Sequence, residues 1–327
     1  MTNFILAIAV AFGVSLILLL TMLNTSLGKS LLDRPNERSL HEHPVPRIGG
    51  LAIMLGIASA WLAAKNSQGS ILLAAIAPLI AISLLDDFKG VAPQWRLMVQ
   101  LAVAMLALAS MAQGAWPWWG YVCALILSIW SANLYNFMDG SDGLAGGMAL
   151  FGFGAYALAA AFAGNGEFAA MTGAIAAAAL AFLMFNFYPA RVFMGDAGSV
   201  PLGFLAGLFG IAGIRADMWP VWFPFLVFSP FVVDATVTLI KRGCRGETVW
   251  HAHRDHYYQR LVRMGLGHRG TALVSYATMF ISVLIALIVR DAAPFMQWVA
   301  ISGVVLAYAL GLVYVDRCWR KFQMQIV

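Results

Sequence analysis

The sequence predicts an all-α, polytopic integral membrane protein, and three observations carry that prediction. Of the 327 residues, 61% are hydrophobic and only 11% charged, against roughly 25% charged in soluble globular domains. The apolarity is continuous, which selects helices, because the strands of a membrane barrel would alternate polar and apolar residues over ~10 positions. No residue from Leu97 to Met138 carries a formal charge, and that stretch accommodates two spans of ~20 residues with a turn between them.

Eleven spans are expected in order, at about 3–23, 48–64, 70–85, 95–113, 118–135, 143–163, 167–185, 199–214, 219–240, 271–289 and 295–315. The first lacks a basic leader and an obvious cleavage site and is read as a retained helix. Alternate breaks are short and plain: KNSQG, QGAWPWWG, GNGE, RADMWP and RDAAP. The Trp and Pro residues of QGAWPWWG suit an interfacial turn. Of the 20 Lys and Arg residues, all but Lys65, Arg215 and Arg290 fall in the other set of loops. The positive-inside rule puts that set in the cytoplasm, the N-terminus outside (periplasmic) and the C-terminus inside. The net charge of +5 then matches an anionic inner leaflet, so the lipid bilayer is the partner and no nucleic acid is needed. Cys123, Cys244 and Cys318 lie too far apart in sequence to suggest a disulfide framework or a metal site. The chain reads as one membrane domain over 1–327, with an active site built from loops 24–47, 86–96, 133–147, 186–198 and 241–270.

Each of these five loops carries groups that bind or move charge. The first ends in DRPNERSLHEHPVPRIGG, and Gly49 and Gly50 open the second span where unpaired backbone N–H groups would meet an anion; a solvated connector is the competing reading. In LLDDFKG, Asp86 and Asp87 repel one another in reduced dielectric, which calls for a bound cation or a basic partner such as Lys89 or Arg96. An acidic helix stop with a local ion pair competes. In NLYNFMDGSDGLAGG, a helix would place Asn133 and Asn136, then Asp139 and Asp142, on one face at i and i+3; an Asx-rich turn is the alternative. In FNFYPARVFMGDAGS, Asp196 lies between Gly195 and Gly198, where one carboxylate and several backbone N–H groups meet, and an N-cap role competes. The last loop is basic and holds four of the six histidines; His253 and His256 would face one ligand if helical, and a membrane-hugging basic loop is the alternative. Zinc fits it poorly, since no Cys pair or HEXXH accompanies them. Asp234, ~10 Å along a helix from Lys241, is either functional or an interhelix partner.

All five clusters fall on one face, which implies a shared site. Carboxylates, backbone N–H groups, His and Arg suit phosphate or diphosphate substrates with an oxygen-ligated Mg²⁺. The stretches DRPNERSLHEHPVPRIGG, DDFKG, NLYNFMDGSDGLA, NFYPARVFMGDAGS and HAHRDHYYQRL resemble the ordered motifs of the polyprenyl-phosphate N-acetylhexosamine-1-phosphate transferases, glycosyltransferase family 4. The resemblance covers about residues 33–265, and eleven spans match the bacterial surface-polysaccharide branch, which initiates O-antigen and related polymers on undecaprenyl phosphate.

The resemblance implies transfer of a sugar 1-phosphate from a UDP-N-acetylhexosamine to undecaprenyl phosphate at the cytoplasmic face of the bacterial inner membrane, with release of UMP. Asp196 becomes the Mg²⁺ ligand, with Mn²⁺ an allowed substitute and a homodimer an allowed state. Asp86, Asp87, Asp139, Asp142, His253 and His256 are then the catalytic candidates. Asn133, Asn136, Asn186, Phe193, Arg254, His41, Gly49 and Gly50 are the substrate-binding candidates. HRDHYYQ replaces the consecutive histidines of the muramoyl-pentapeptide branch, which argues against the peptidoglycan precursor as substrate.

A lipid phosphate has a second pKa of about 6 and is mostly dianionic at neutral pH, so direct attack needs no strong base; a covalent route through Asp86 or Asp87 is the alternative. An ion-coupled transporter would place its polar groups near the bilayer midplane and not at one face. A CDP-alcohol phosphotransferase would need an Arg and later aspartates that DGLAGGMALFGFG lacks.

Overall fold

A computed structural model describes residues 2–25, 31–33, 35, 40, 43–110, 116–248 and 253–326. After helix α1 (Thr2–Leu23) comes a ribbon of β1 (Leu32–Asp33) and β2 (Val45–Pro46), followed by α2 (Gly49–Ala63), α3 (Ser67–Lys89), α4 (Pro93–Ser110), α5 (Trp118–Met138) and α6 (Leu144–Phe162). The chain continues through α7 (Gly166–Asn186), α8 (Asp196–Arg215), α9 (Trp222–Val227), α10 (Ser229–Cys244), α11 (Tyr257–Leu261), α12 (Gly267–Val289) and α13 (Pro294–Ile326). Among the described residues eight helical runs are long and apolar enough to cross a membrane: α1, α3, α5, α6, α7, α8, the run from α11 through α12, and α13.

The three other expected spans are also helical, with differences that have local causes. Helix α2 is short at 15 residues, and α4 has 18. The span expected without interruption at 219–240 is broken at Phe228 into α9 and α10. Pro230 is the reason: it sits at the start of α10, where its missing N–H costs nothing, whereas inside one continuous helix its ring would collide with the carbonyl four residues back. Helix α13 runs past its expected end at 315 to Ile326, 33 residues or about 50 Å, longer than the ~30 Å hydrocarbon layer. Its polar end therefore carries Asp316, Arg317, Arg320 and Lys321 beyond the apolar stretch.

The centre of the bundle is α6, α7 and α8, most of whose residues are buried, whereas no residue in the apolar length of α13 is buried. Helix α7 contains GAIAAAALAFL; small side chains let neighbouring helices approach until their backbones gain dispersion contacts, the main attraction available between helices in lipid. The ribbon, which the sequence reading left as plain loop, pairs Leu32 with Pro46 and Asp33 with Val45. It stitches the first loop to the fourth, since Phe193 N–H donates to Pro46 O (2.8 Å) and Gly49 and Gly50 donate to Phe193 O (2.9 Å) and Met194 O (2.8 Å).

Those last bonds correct the expectation for Gly49 and Gly50. Their N–H groups are consumed by backbone carbonyls and are not open to an anion. Gly50 instead permits contact, because a Cβ there would lie 2.2 Å from the backbone nitrogen of Gly198.

Candidate active site

Helix α8 begins beside its own best capping residue but does not use it. The N-cap is Gly195, which has no side chain to offer and sits at φ 71°, a conformation that favours glycine. The capping oxygens come from α3: Asp87 accepts from the N–H groups of Asp196 (3.2 Å) and Ala197 (3.1 Å). Its carboxylate is almost fully buried, with Arg47 Nη1 at 3.9 Å. Asp196, relieved of capping, holds its Oδ2 3.1 Å from Arg96 Nη2. The other arm of Arg96 is ion-paired with Asp86, whose Oδ1 accepts from Val91 N–H at 2.6 Å. One guanidinium thus bridges two carboxylates from different helices.

The opposite wall is the turn between α5 and α6. Asp139 is the C-cap of α5 and Gly143, at φ 75°, opens α6, so Asp139 and Asp142 do not share a helical face as the spacing suggested. Asn186 fixes the turn with both ends of its amide: Oδ1 accepts from Gly143 N–H (2.9 Å) and Nδ2 donates to Val192 O (2.9 Å). Asp142 Oδ2 accepts from Ala190 N–H at 3.0 Å. Asn136 Oδ1 accepts from Ser199 Oγ at 2.7 Å. Asn133 is directed elsewhere, donating to Gln100 Oε1 (2.7 Å) and Ile129 O (2.8 Å).

Asp139 differs from all of these. Among the described residues its carboxylate has neither hydrogen bond nor ion pair, and its pKa is raised to about 7, first by burial and then by the negative charges of Asp196 and Asp87.

The basic loop is organised around Asp234. Its Oδ1 accepts from Tyr257 N–H and its Oδ2 from Tyr258 N–H, both at 2.9 Å, while His256 Nδ1 lies 3.2 Å from Oδ1. Asp234 is the interhelix anchor of α11. His253 and His256 precede that helix and are not part of it, yet their rings meet at a centroid distance of 4.8 Å. The pKa of His253 is lowered to about 4 by burial, then by the neighbouring His256 and Arg242. Arg254 is half-buried between these two histidines. His41 lies outside the described residues.

A cavity of about 240 Å³ opens between these walls, lined by Asp33, Leu40, Arg47, Asn136, Asp139, Gly140, Ser141, Asp142, Asn186, Phe193, Gly195, Asp196, Gln259 and His268. It gathers residues from four of the five expected loops, all but 86–96. Asp86, Asp87, Asn133, His253, Arg254 and His256 are not among its lining residues. Asp33, Arg47, Ser141, Gln259 and His268 escaped the sequence reading. Arg47 lay inside a singled-out motif and its charge was a usable signal; Gln259 and His268 carry no spacing that marks them.

Among the described residues no three Asp, Glu, His or Cys side chains form a ready metal cluster. Mg²⁺ asks for less, taking one or two carboxylates with water and substrate phosphate oxygens as the rest. The Asp139 carboxylate, unpartnered among the described residues and lining the same cavity as Asp196, is with it an oxygen-only donor set that fits the ion.

The profile of glycosyl transferase family 4 matches residues 70–214, a stretch that contains Asp86, Asp87, Asp139, Asp142, Asn186 and Asp196. The chain is 28% identical to the probable undecaprenyl-phosphate N-acetylglucosaminyl 1-phosphate transferase of Bacillus subtilis (strain 168), over 87% of this chain and 86% of that one. It is 28% identical to the undecaprenyl-phosphate alpha-N-acetylglucosaminyl 1-phosphate transferase of Yersinia pestis, covering 89% and 85%. With the decaprenyl-phosphate N-acetylglucosaminephosphotransferase of Mycolicibacterium smegmatis it shares 29% identity over 74% and 71% of the two chains. In its motifs, folded around one cavity, and along most of its length the chain is similar to these transferases and to glycosyl transferase family 4.

Proposed function

We propose that this protein transfers an N-acetylhexosamine 1-phosphate from a UDP-sugar to undecaprenyl phosphate at the cytoplasmic face of a bacterial inner membrane, as the initiating step of a surface polysaccharide. UDP-N-acetylglucosamine is the first donor to test, because the relatives named above are described by that sugar. The observation that carries the reading is the one cavity in which Asp139, Asp196 and Arg47 meet in a chain similar to these transferases.

In the reaction an oxygen of the lipid phosphate attacks the sugar-bearing phosphorus of the donor. The bond from that phosphorus to the bridging oxygen breaks, and UMP leaves with the electron pair. Two anions must be brought together, so charge compensation dominates the barrier. Arg47 lines the cavity within reach of the Asp33 carboxylate (2.6 Å) and supplies fixed positive charge. Asn136 and Asn186, each held by hydrogen bonds, keep the walls in register. Asp139 and Asp196 would hold a Mg²⁺ ion, which when bound supplies Lewis-acid stabilisation of the departing phosphate.

A second cavity suits the acceptor. An apolar groove of about 870 Å³ runs between α10, α12 and α13, with Phe231, Ser282, Ile285, Ala307 and Tyr308 in its wall. At its catalytic end stands Tyr258, whose hydroxyl donates to Phe137 O at 3.3 Å. Next to Tyr257, a lining residue of the groove, Lys241 and Arg260 both pair with Asp316, two cations against one anion, which favours a lipid with an anionic head.

The decisive experiment combines purified protein in detergent, Mg²⁺, undecaprenyl phosphate and a panel of UDP-N-acetylhexosamines, with UMP release as the readout. Release with one of these sugars, dependent on the lipid, is expected. A folded preparation that releases UMP with none of them overturns the proposal.

A further inference from the structure

His268 stands second in α12 and, apart from Gln259, far in sequence from the rest of the cavity lining, yet it joins three of those walls. Its Nδ1 is 3.0 Å from Ser141 Oγ and accepts the Asp142 N–H at 3.3 Å. That places the ring proton on Nε2, which donates to Leu40 O at 3.2 Å. The ring stacks on Tyr188 at an interplanar angle of 10°, and Asp142 Oδ1 lies 3.6 Å from Nδ1. Its side chain is only 12% exposed, and the exposed part faces the cavity it lines.

The turn that His268 touches has no helix to keep its shape. Gly143 is anchored by Asn186 and by Tyr276, whose hydroxyl donates to Gly143 O at 2.7 Å. Among the described residues no other side chain bonds Ser141 Oγ or the Asp142 N–H. Without His268 the middle of the turn loses its tie to α12 while its end stays pinned. A buried N–H left unpaired in this way is costly enough to shift the turn to another conformation.

We infer that His268 is a positioning residue, holding Ser141 and Asp142 in the geometry that the UDP-sugar requires; the inference rests on the transfer reaction proposed above. Its Nδ1 side does this work, and the bond to Leu40 is secondary.

The test uses the full chain in detergent with Mg²⁺, UDP-N-acetylglucosamine and undecaprenyl phosphate. His268→Ala is expected to raise the KM for the UDP-sugar by about tenfold, the scale of one lost buried hydrogen bond, with the lipid KM within about twofold. His268→Asn, whose amide oxygen replaces Nδ1 as acceptor, should restore most of the loss, and His268→Gln should not. Amide hydrogen exchange without substrate gives a readout independent of the reaction: His268→Ala should speed exchange across 140–143 by about tenfold and leave 199–210 unchanged. An unchanged donor KM, parallel rises in both KM values, or rescue by Gln and not Asn would overturn the inference. If wild-type protein releases no UMP, the reaction assignment fails, and unchanged exchange at 140–143 would then sink the positioning role as well.

Discussion

Asp87 and Asp196 are joined through the backbone: the carboxylate of Asp87 receives the N–H of Asp196 across 109 residues of sequence. A negative charge at a helix N-terminus is favoured by the aligned peptide dipoles, so Asp87 is committed to holding α8 in place. Asp87→Ala should therefore lower thermal stability, by about 1–2 kcal/mol for a lost cap, along with activity. Incubation with radiolabelled UDP-sugar alone should leave no label on the protein, because both Asp87 oxygens are engaged and Asp86 is held by Arg96 and Val91. A trapped phospho-enzyme would refute the direct mechanism.

Asp196 is the carboxylate whose loss should abolish turnover without unfolding. Asp196→Asn keeps the backbone N–H that Asp87 accepts and removes only the charge in the cavity. A fall in kcat of about 10³-fold is expected, typical of removing a group that stabilises transition-state charge, with an unfolding midpoint near that of wild type. Near-normal turnover would take Asp196 out of the proposed metal site.

The Asp139 carboxyl, held up to about 7, should write itself into the pH dependence of stability. A raised acid keeps its proton in the folded protein where the unfolded chain has already released it. Between about pH 4 and pH 7 the folded state therefore binds more protons, and this contribution to stability falls as pH rises. In chelator, Asp139→Asn should show a shallower decline in unfolding midpoint across that window than wild type. Superimposable profiles would show that the carboxyl is not raised.

Asp234 has the same task on the other side of the site, accepting from Tyr257 and Tyr258. Removing it leaves two N–H groups and His256 without their acceptor in a buried place. Asp234→Ala should cost about 3 kcal/mol and lower the apparent affinity for both substrates, whereas Asp234→Asn should keep part of the stability. Thermal unfolding followed by tryptophan fluorescence would measure both.

The groove between α10, α12 and α13 makes a separate prediction. Ala307→Trp, placed in its wall, should raise the KM for undecaprenyl phosphate several-fold and leave the KM for the UDP-sugar unchanged. Equal effects on both would mean that the groove is not where the lipid chain lies.

Much of the fold was legible from the order of apolar runs, and its failures were local. Pro230 split one span, and the ribbon at Leu32–Asp33 and Val45–Pro46 formed because the fourth loop supplied Phe193 as a further hydrogen-bonding neighbour. The site was legible as a set of loops but not as a set of roles. Gly49 and Gly50 looked like open anion donors and are paired to Phe193 and Met194. Asn133 looked like part of a polar column and faces Gln100. His268 had no motif and lines the cavity.

Composition alone determined that this is a helical membrane protein, because hydrocarbon forbids unpaired backbone and sets the length of each span. Motif order alone singled out five loops, and four of them meet in one cavity. Only the tertiary structure decided which carboxylate does what: Asp87 and Asp234 each accept two backbone N–H groups, Asp86 holds Arg96, and Asp139 shares a cavity with Asp196 and has no partner among the described residues. Hydrogen bonds are short and directional, so the fate of each acid depends on its donor however far along the chain that donor stands, as Asp196 does from Asp87 at a separation of 109 residues. No local pattern in the sequence records that donor.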